Sequence, residues 1–195
     1  TGKGPLREDD RNEQIKVVEN FNTRRVDGIV LAPLDETALV KVCQESADLG
    51  IPVVIVDSGL KWDGMASFIA TDNYEGGVLA AREMGRLLEG KGKVVVMRYV
   101  EGSASTTKRE NGFLDTLKKE FEGIEVLSSS QSSGAGTEGG YSTSEALLAA
   151  HPAVEGVFCS NESGASGLLR ALRDAGPAGD VTFVGVEARE RWRRG

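Results

Sequence analysis

Short apolar runs rich in β-branched residues alternate with segments of helical period along this chain. Ile15, Val18 and Phe21 recur at the spacing of one helix face, and the run from Gly28 to Pro33 follows as a buried strand that ends at proline. The same order repeats to the last apolar run, Val181 to Val186. Such alternation is typical of βα units that form a parallel sheet, so the pattern predicts an α/β fold.

The runs predicted as strands are residues 28–33, 51–57, 67–72, 93–100, 124–127, 156–160 and 181–186. Helices are predicted over residues 34–50, 76–88, 109–121, 138–150 and 162–175, after a first helix that Asp9 or Asp10 would cap. The run 51–57 is continuously apolar, which favours helices on both of its faces. The Ser- and Gly-rich stretch Ser128 to Gly140 is interpreted as a surface loop rather than a domain boundary.

Charge and length narrow the classes of partner. The 195 residues carry a net charge of −7, and nucleic acid is therefore not expected as a partner, because binding to phosphates needs a basic surface. The longest apolar runs are far shorter than the roughly 20 residues that cross a bilayer. The first residues are polar and contain no signal peptide, so we expect either a leader that was removed or a start inside the gene.

The side chains that most enzymes and metal sites depend on are scarce. His151 is the single histidine, in a predicted turn, which disfavours histidine-dependent catalysis and metal binding. Cys43 and Cys159 lie in apolar segments without metal-ligand spacing, so buried free thiols are favoured over a disulfide. The glycines from Gly85 to Gly92 follow a helix instead of a strand, which is the wrong context for a dinucleotide fingerprint. We therefore expect no enzyme activity, no cofactor and no metal.

Polar side chains follow most of the predicted strands, at the edge where a parallel sheet binds ligands. They are Asp35, Asp57 with Ser58, Asp72 with Asn73, Glu101 to Ser103, Asn161 with Glu162, and Glu187. Carboxylates accept hydrogen bonds from hydroxyl groups, while amides both donate and accept them, so the set suits a hydroxyl-rich ligand. For any one of these residues, a helix cap or a turn is an equally good interpretation.

The residues also resemble a known family. The runs 28–35 (GIVLAPLD) and 50–57 (GIPVVIVD) look like the third and fourth strands of ribose-type periplasmic binding proteins and of the lactose-repressor core. Further segments fall in the family's order, namely 69–77 (IATDNYEGG), 109–113 (RENGF), 158–162 (FCSNE) and 184–187 (VGVE). The chain is therefore identified as a member of the type I periplasmic binding protein family. This resemblance implies two Rossmann-like three-layer α/β/α lobes with parallel sheets, joined by a hinge.

Ligand-binding roles follow from the resemblance by position. Asp57, next to Ser58, resembles the first-lobe carboxylate that holds sugar hydroxyls, and Asn161 resembles the second-lobe asparagine. Glu187 takes the place of the second lobe's ligand-binding aspartate. Asp72 and Asn73 fall where the chain first crosses the hinge, and they either face the ligand or brace the crossing.

Two more residues belong to the predicted ligand set, Thr107 and Arg109. Arg109 of the RENGF motif fits a structural role at its helix better than a ligand contact, although a guanidinium facing the ligand stays open. Thr107 aligns with the family's sugar-contacting arginine, and this departure, together with others at Ala32, near Ala135 and at Glu187, argues against ribose itself. Gly164 and the Gly-rich stretch before it are expected to weaken the second lobe.

The resemblance places residues 1–71 in an N-terminal lobe that lacks its first βα unit, and residues 72–195 in a C-terminal lobe that lacks its closing segment. A lobe without its first strand exposes strand edges, so we expect a tendency to dimerise. The Arg-rich tail after Ala188 departs from the family pattern and is interpreted as an altered or truncated terminus rather than a recognition tail.

The resemblance implies a solute-binding component of a sugar ABC transporter, located in the periplasm or outside the cytoplasmic membrane. It would bind a small carbohydrate, a monosaccharide, between the lobes by hinge closure, and an ABC permease would recognise the closed state. The alternative is the effector-binding core of a lactose-repressor-type regulator, since the same lobes serve both roles.

Overall fold

The computed structural model describes residues 2–176 and 181–186. The chain divides into two compact units. The first unit contains Thr1–Thr71 and Glu101–Ser105, and the second contains Asp72–Val100 and Thr106–Gly195. The lobe boundary after residue 71 that the resemblance implies stays a prediction, and residues 101–105, which the sequence analysis assigned to the second lobe, belong to the first unit. Whether either unit lacks segments of a complete lobe stays a prediction.

The first unit has two helices and a three-stranded parallel sheet among its described residues. In chain order its elements are α1 (Arg11–Thr23), β1 (Ile29–Leu31), α2 (Val40–Asp48), β2 (Val53–Val56) and β3 (Ser67–Ile69). The strands pair in the order β1-β2-β3. Asp10 is the N-cap of α1, and its side chain accepts a hydrogen bond from the Glu13 backbone N–H at 2.9 Å, as the sequence predicted.

The described core of the first unit lies on one face of its sheet. There Leu31 and Ile55 pack with Val18 of α1 and Val42 of α2. Val30 points to the opposite face and is 72% exposed. The prediction that helices cover both faces of the strand 51–57 is therefore wrong for the described residues of this unit, where Val54 and Val56 are only half-buried. Continuous apolar character could not reveal which face would be packed.

The second unit is a four-stranded parallel sheet with helices on both faces. Its elements are α3 (Asn73–Leu87), β4 (Lys91–Met97), α4 (Ala104–Glu120), β5 (Gly123–Ser128), α5 (Thr137–Ala150), β6 (Gly156–Cys159), α6 (Glu162–Asp174) and β7 (Thr182–Gly185). The first two residues of α4 belong to the first unit. The strand order is β5-β4-β6-β7, so the chain moves to one side of β4 and then returns to pair β6 on its other side.

Two hydrophobic clusters form the core of the second unit, one on each face of the sheet. One joins Val94 and Val96 to helices α3 and α4, and the other joins Val95 and Met97 to helices α5 and α6. The rings of Phe113 on α4 and Phe158 on β6 stack with centroids 4.0 Å apart. The predicted α/β fold with parallel sheets is confirmed. Among the described residues, no helix has the length and apolar character to cross a bilayer.

Helix α4 begins earlier than the sequence indicated. The prediction started it at Arg109, whereas the structure starts it at Ala104, so that Ser105, Thr106 and Thr107 lie inside the helix. Serine and threonine are weak helix formers, and a cluster of them imitates a loop in a sequence. The observed start places Arg109 inside the helix, where hydrogen bonds to Asn73 of α3 and to Ser160 after β6 hold its side chain.

Both cysteines are buried thiols, as predicted, and each lies in a different unit. Cys43 is fully buried, and burial raises the pKa of its thiol to about 11. Because the thiolate is the reactive form, Cys43 in the folded Cys159→Ala variant should react with a disulfide reagent at pH 8 at least about 100-fold more slowly than in denaturant. The rate of thiol release measures this, and equal rates in the folded and denatured chains would contradict it.

The raised pKa also affects the free energy of unfolding. The thiol of the unfolded chain ionises near pH 9 while the folded one stays neutral, so the folded state loses stability as the pH rises from 9 towards 11.

Candidate ligand-binding site

The second unit has a topological switch point between β4 and β6. Strands that follow β4 lie on opposite sides of it, and at such a point the loops after the two strands diverge and leave a crevice beyond their carboxyl ends. Arg98 and Tyr99 follow β4, while Ser160 and Asn161 follow β6. Asn161, which the sequence analysis placed at a strand end, therefore lies at the edge where a sheet of this topology is expected to bind a ligand.

Arg109 links three elements of the second unit. Its side chain is 7% exposed, and its Nε donates to Asn73 Oδ1 at 2.8 Å while Nη1 donates to the Ser160 carbonyl oxygen at 2.9 Å. The first turn of α3, the helix α4 and the end of β6 are thereby held together. These contacts favour the structural role that the sequence suggested for Arg109, and its contact with a ligand stays a prediction.

The neighbouring residues Asp72 and Asn73 have different surroundings. Asp72 is exposed and caps α3, because its carboxylate accepts a hydrogen bond from the Glu75 backbone N–H at 3.0 Å. Asn73 is buried and accepts the bond from Arg109. For both residues the observed contacts are bracing ones, and ligand contact stays a prediction.

Asn161 is the N-cap residue of α6 and has an extended backbone. It is 8% exposed, and its side-chain amide donates to Ser163 Oγ at 2.7 Å. Gly164 makes room for it, since a Cβ there would lie 2.8 Å from Asn161 Oδ1 and 2.9 Å from Cys159 Sγ. The expectation that Gly164 only weakens this unit is therefore incomplete. The glycine gives the asparagine amide its place beside the strand end.

Glu110 is a residue of this site that the sequence analysis missed. It is 3% exposed, and its Oε1 accepts hydrogen bonds from Ser160 Oγ at 2.8 Å and from the Tyr99 backbone N–H at 3.0 Å. Its Oε2 accepts from Arg98 Nη1 at 2.9 Å. An acid in an amphipathic helix is normally assigned to the surface, and only the strand order shows that this one lies across the switch point.

In the first unit, Asp57 follows β2 with a left-handed backbone. Its φ is +64°, its backbone N–H donates to the Ile69 carbonyl oxygen at 3.0 Å, and its side chain is exposed. Aspartate tolerates this conformation better than most residues, yet it remains a strained one that is common at binding sites. Ser58 is buried, and its hydroxyl accepts from the Ser105 backbone N–H at 3.2 Å.

Asp35 has a structural role in the first unit. Its Oδ1 accepts from the backbone N–H groups of Thr37 and Ala38 at 2.8 Å, and Oδ2 lies 3.2 Å from Arg11 Nε. Burial raises the pKa of this carboxyl, but the hydrogen bonds from Ala38 and Thr37, with the charge of Arg11, outweigh burial and hold the pKa below its usual value. Asp35 also touches the segment 101–105, because a Cβ at Gly102 would lie 2.2 Å from its Oδ2.

The remaining predicted ligand residues are less informative. Thr107 is exposed on α4. Glu187 and the Arg-rich tail lie outside the described residues. Within residues 2–176 and 181–186, no group of three or more histidine, cysteine or acidic side chains is arranged to hold a metal ion. The described strand ends thus offer hydrogen-bonding groups in both units. The side chains of Asp72, Asn73 and Asn161 are held by protein contacts, whereas the Asp57 side chain is exposed.

These features define an α/β protein with polar side chains at the ends of its parallel strands. Residues 4–194 match the family described as "Periplasmic binding protein domain", so the chain belongs to that family. The D-ribose/D-allose-binding protein of Pseudomonas aeruginosa is 31% identical in an alignment of 186 residues that covers 92% of this chain and 57% of the relative. The chain therefore spans little more than half the length of that relative.

Solved structures show the same likeness. An ABC transporter solute-binding protein from Agrobacterium vitis, with bound D-fucose, is 36% identical with a TM-score of 0.88, over 95% of this chain and 64% of that one. The periplasmic component of a sugar transport system from Hahella chejuensis is 32% identical with a TM-score of 0.90, over 94% of this chain and 67% of that one. The curated relatives are named as binding proteins, which supports the prediction that the chain is not an enzyme and does not favour the regulator alternative.

Proposed function

We propose that this chain belongs to the solute-binding component of a sugar ABC importer and binds a monosaccharide. The observation that carries the proposal is its likeness, at 36% identity, to a solute-binding protein with bound D-fucose. A relative from Actinobacillus succinogenes has D-allose bound, and a Bacillus subtilis relative is a ribose import binding protein. An extracytoplasmic location and an ABC permease as partner are part of the proposal.

Chemistry at the strand ends supports a polyhydroxylated ligand. The exposed Asp57 carboxylate accepts hydrogen bonds, and the Asn161 amide both donates and accepts them. Arg109 bonds Asn73 and the Ser160 carbonyl oxygen after β6, and both side chains belong to the proposed ligand set. Glu187 adds a further carboxylate to that set in the sequence. The interlobe cleft and the hinge closure that the resemblance implies stay predictions.

Calorimetric titration with D-ribose, D-allose, D-fucose and D-arabinose tests the proposal. The unmodified chain should bind at least one of these sugars, and Asp57→Ala should weaken that binding at least about tenfold, because a hydrogen bond from a ligand to a charged group contributes about 1.5–3 kcal/mol. Asp63→Ala is the matched control, since Asp63 is an exposed aspartate of the same unit that does not end a strand. Binding of none of the four sugars would contradict the function, and equal affinities of native and Asp57→Ala chains would remove Asp57 from the site.

A further inference from the structure

Glu110 is a buried carboxylate that joins the ends of the two central strands. Its Oε1 accepts hydrogen bonds from the Tyr99 backbone N–H after β4 and from the Ser160 hydroxyl after β6. These strands are direct neighbours in the sheet, with Met97 paired to Cys159. The carboxylate therefore lies at the switch point itself and ties both sides of it to one helix.

Ser160 is held from two directions by consecutive residues of α4. Its hydroxyl donates to Glu110, and its carbonyl oxygen accepts from Arg109. Ser160 is fully buried, so neither group has water as a replacement partner. The stacked rings of Phe113 and Phe158 anchor the same helix to the same strand. Little freedom remains for the residue that precedes Asn161.

The position of Asn161 depends on that restraint. Asn161 begins α6, and its carbonyl oxygen accepts the first hydrogen bond of the helix from the Ala165 N–H at 3.0 Å. Its side-chain amide is oriented by Ser163 and has Gly164 beside it. A shift of Ser160 would move the backbone from which this amide projects.

We propose that Glu110 is a positioning residue: it fixes the Ser160–Asn161 turn at the switch point and thereby sets the orientation in which Asn161 meets a ligand. Both carboxylate oxygens of Glu110 accept hydrogen bonds from the protein itself, and its effect on a ligand passes through Asn161. The part of this inference that concerns ligand affinity rests on the proposed sugar-binding function, whereas the part that concerns the turn does not.

Hydrogen exchange tests the turn without any sugar. In Glu110→Ala, the amide of Ala165 should exchange at least about tenfold faster, because the Asn161 carbonyl oxygen that accepts its hydrogen bond would no longer be held in place. The Phe121 amide, bonded to Leu117 at the far end of α4, should keep its protection and report that the helix is intact. Glu110→Gln keeps an acceptor oxygen for Ser160 and Tyr99 and should stay within about threefold of the native rate. Unchanged protection of Ala165 in Glu110→Ala would overturn the proposal.

Ser160→Ala provides a second route should Glu110→Ala fail to fold. It removes one hydroxyl from the network and leaves the other acceptor contacts of Glu110 in place, so Ala165 should again lose protection. Glu120→Gln is the matched control, because Glu120 lies on the same helix but pairs with Arg82 at the surface. Faster exchange of Ala165 in this control would contradict a specific role for Glu110.

Sugar affinity tests whether the effect of Glu110 on a ligand acts through Asn161. With whichever of the four sugars the native chain binds, Glu110→Ala should weaken binding about tenfold in the native background but less than about threefold when Asn161→Ala is already present. An equal loss in both backgrounds would show that Glu110 acts by another route and would overturn this part. If Asn161→Ala alone leaves the affinity unchanged, the proposed binding role of Asn161 fails, and with it the effect of Glu110 on affinity, while the exchange result stands on its own.

Discussion

Gly77→Ala is expected to destabilise the second unit by about 3 kcal/mol, within the range measured for overpacked interiors. Gly77 lies on α3, where a Cβ would stand 2.0 Å from the Arg109 carbonyl oxygen and 2.8 Å from the Phe113 nitrogen. Both atoms belong to the backbone of α4, so no side chain can turn away. Gly112 on α4 faces α3 in the same way, with the Tyr74 carbonyl oxygen 2.1 Å from its Cβ position. Alanine would force the two helices apart.

Gly76→Ala is the matched control for that prediction. It is the next residue along the same helix, and its Cβ would only touch Val186 Cγ1 at 3.7 Å, an ordinary contact. Alanine is a better helix former than glycine, so this variant should gain up to about 1 kcal/mol. Urea-induced unfolding, followed by hydrogen exchange in peptides of the second unit, measures both changes. Losses of similar size in both variants would contradict the close approach of α3 and α4.

The α/β class was predictable because alternation of apolar runs with helical periods is a property of short segments. The strand ends were also visible, since Asp57 and Asn161 directly follow apolar runs. What the sequence could not supply was strand order, because the pairing of β4 with β6 joins residues about sixty positions apart. Without that order, Glu110 looks like any acidic residue on a helix surface.

Glycines were misjudged for the same reason. From local propensity alone, Gly164 and its neighbours count as a weakness. In the structure, a Cβ at Gly167 would lie 2.3 Å from the Tyr141 backbone nitrogen, and one at Gly140 would lie 2.9 Å from the Gly164 Cα. These glycines allow α5 and α6 to pack with their backbones in close contact. The loss of helix propensity at a glycine can be estimated from the local sequence. The gain in packing depends on the facing helix, which the sequence does not identify.

Arg109→Ala should be about as damaging as Gly77→Ala, with a loss of about 3 kcal/mol from the stability of the second unit. The substitution removes two hydrogen bonds from a charged donor and leaves the buried Asn73 Oδ1 and Ser160 carbonyl without those partners. It also opens a cavity where the buried Arg109 side chain lay. Urea-induced unfolding with hydrogen exchange of second-unit peptides again gives the free energy.

Two comparisons isolate the geometry of that guanidinium from its charge. Arg109→Lys keeps the charge but has no planar fork to reach Asn73 and Ser160 together, so it should recover less than half of the loss. Lys108→Ala, an exposed neighbour on the same helix, should change the stability by no more than about 0.5 kcal/mol. A lysine variant as stable as the native chain would show that charge alone suffices. Three elements meet at Arg109, and full recovery by lysine would mean that their junction does not depend on the hydrogen bonds to Asn73 and Ser160.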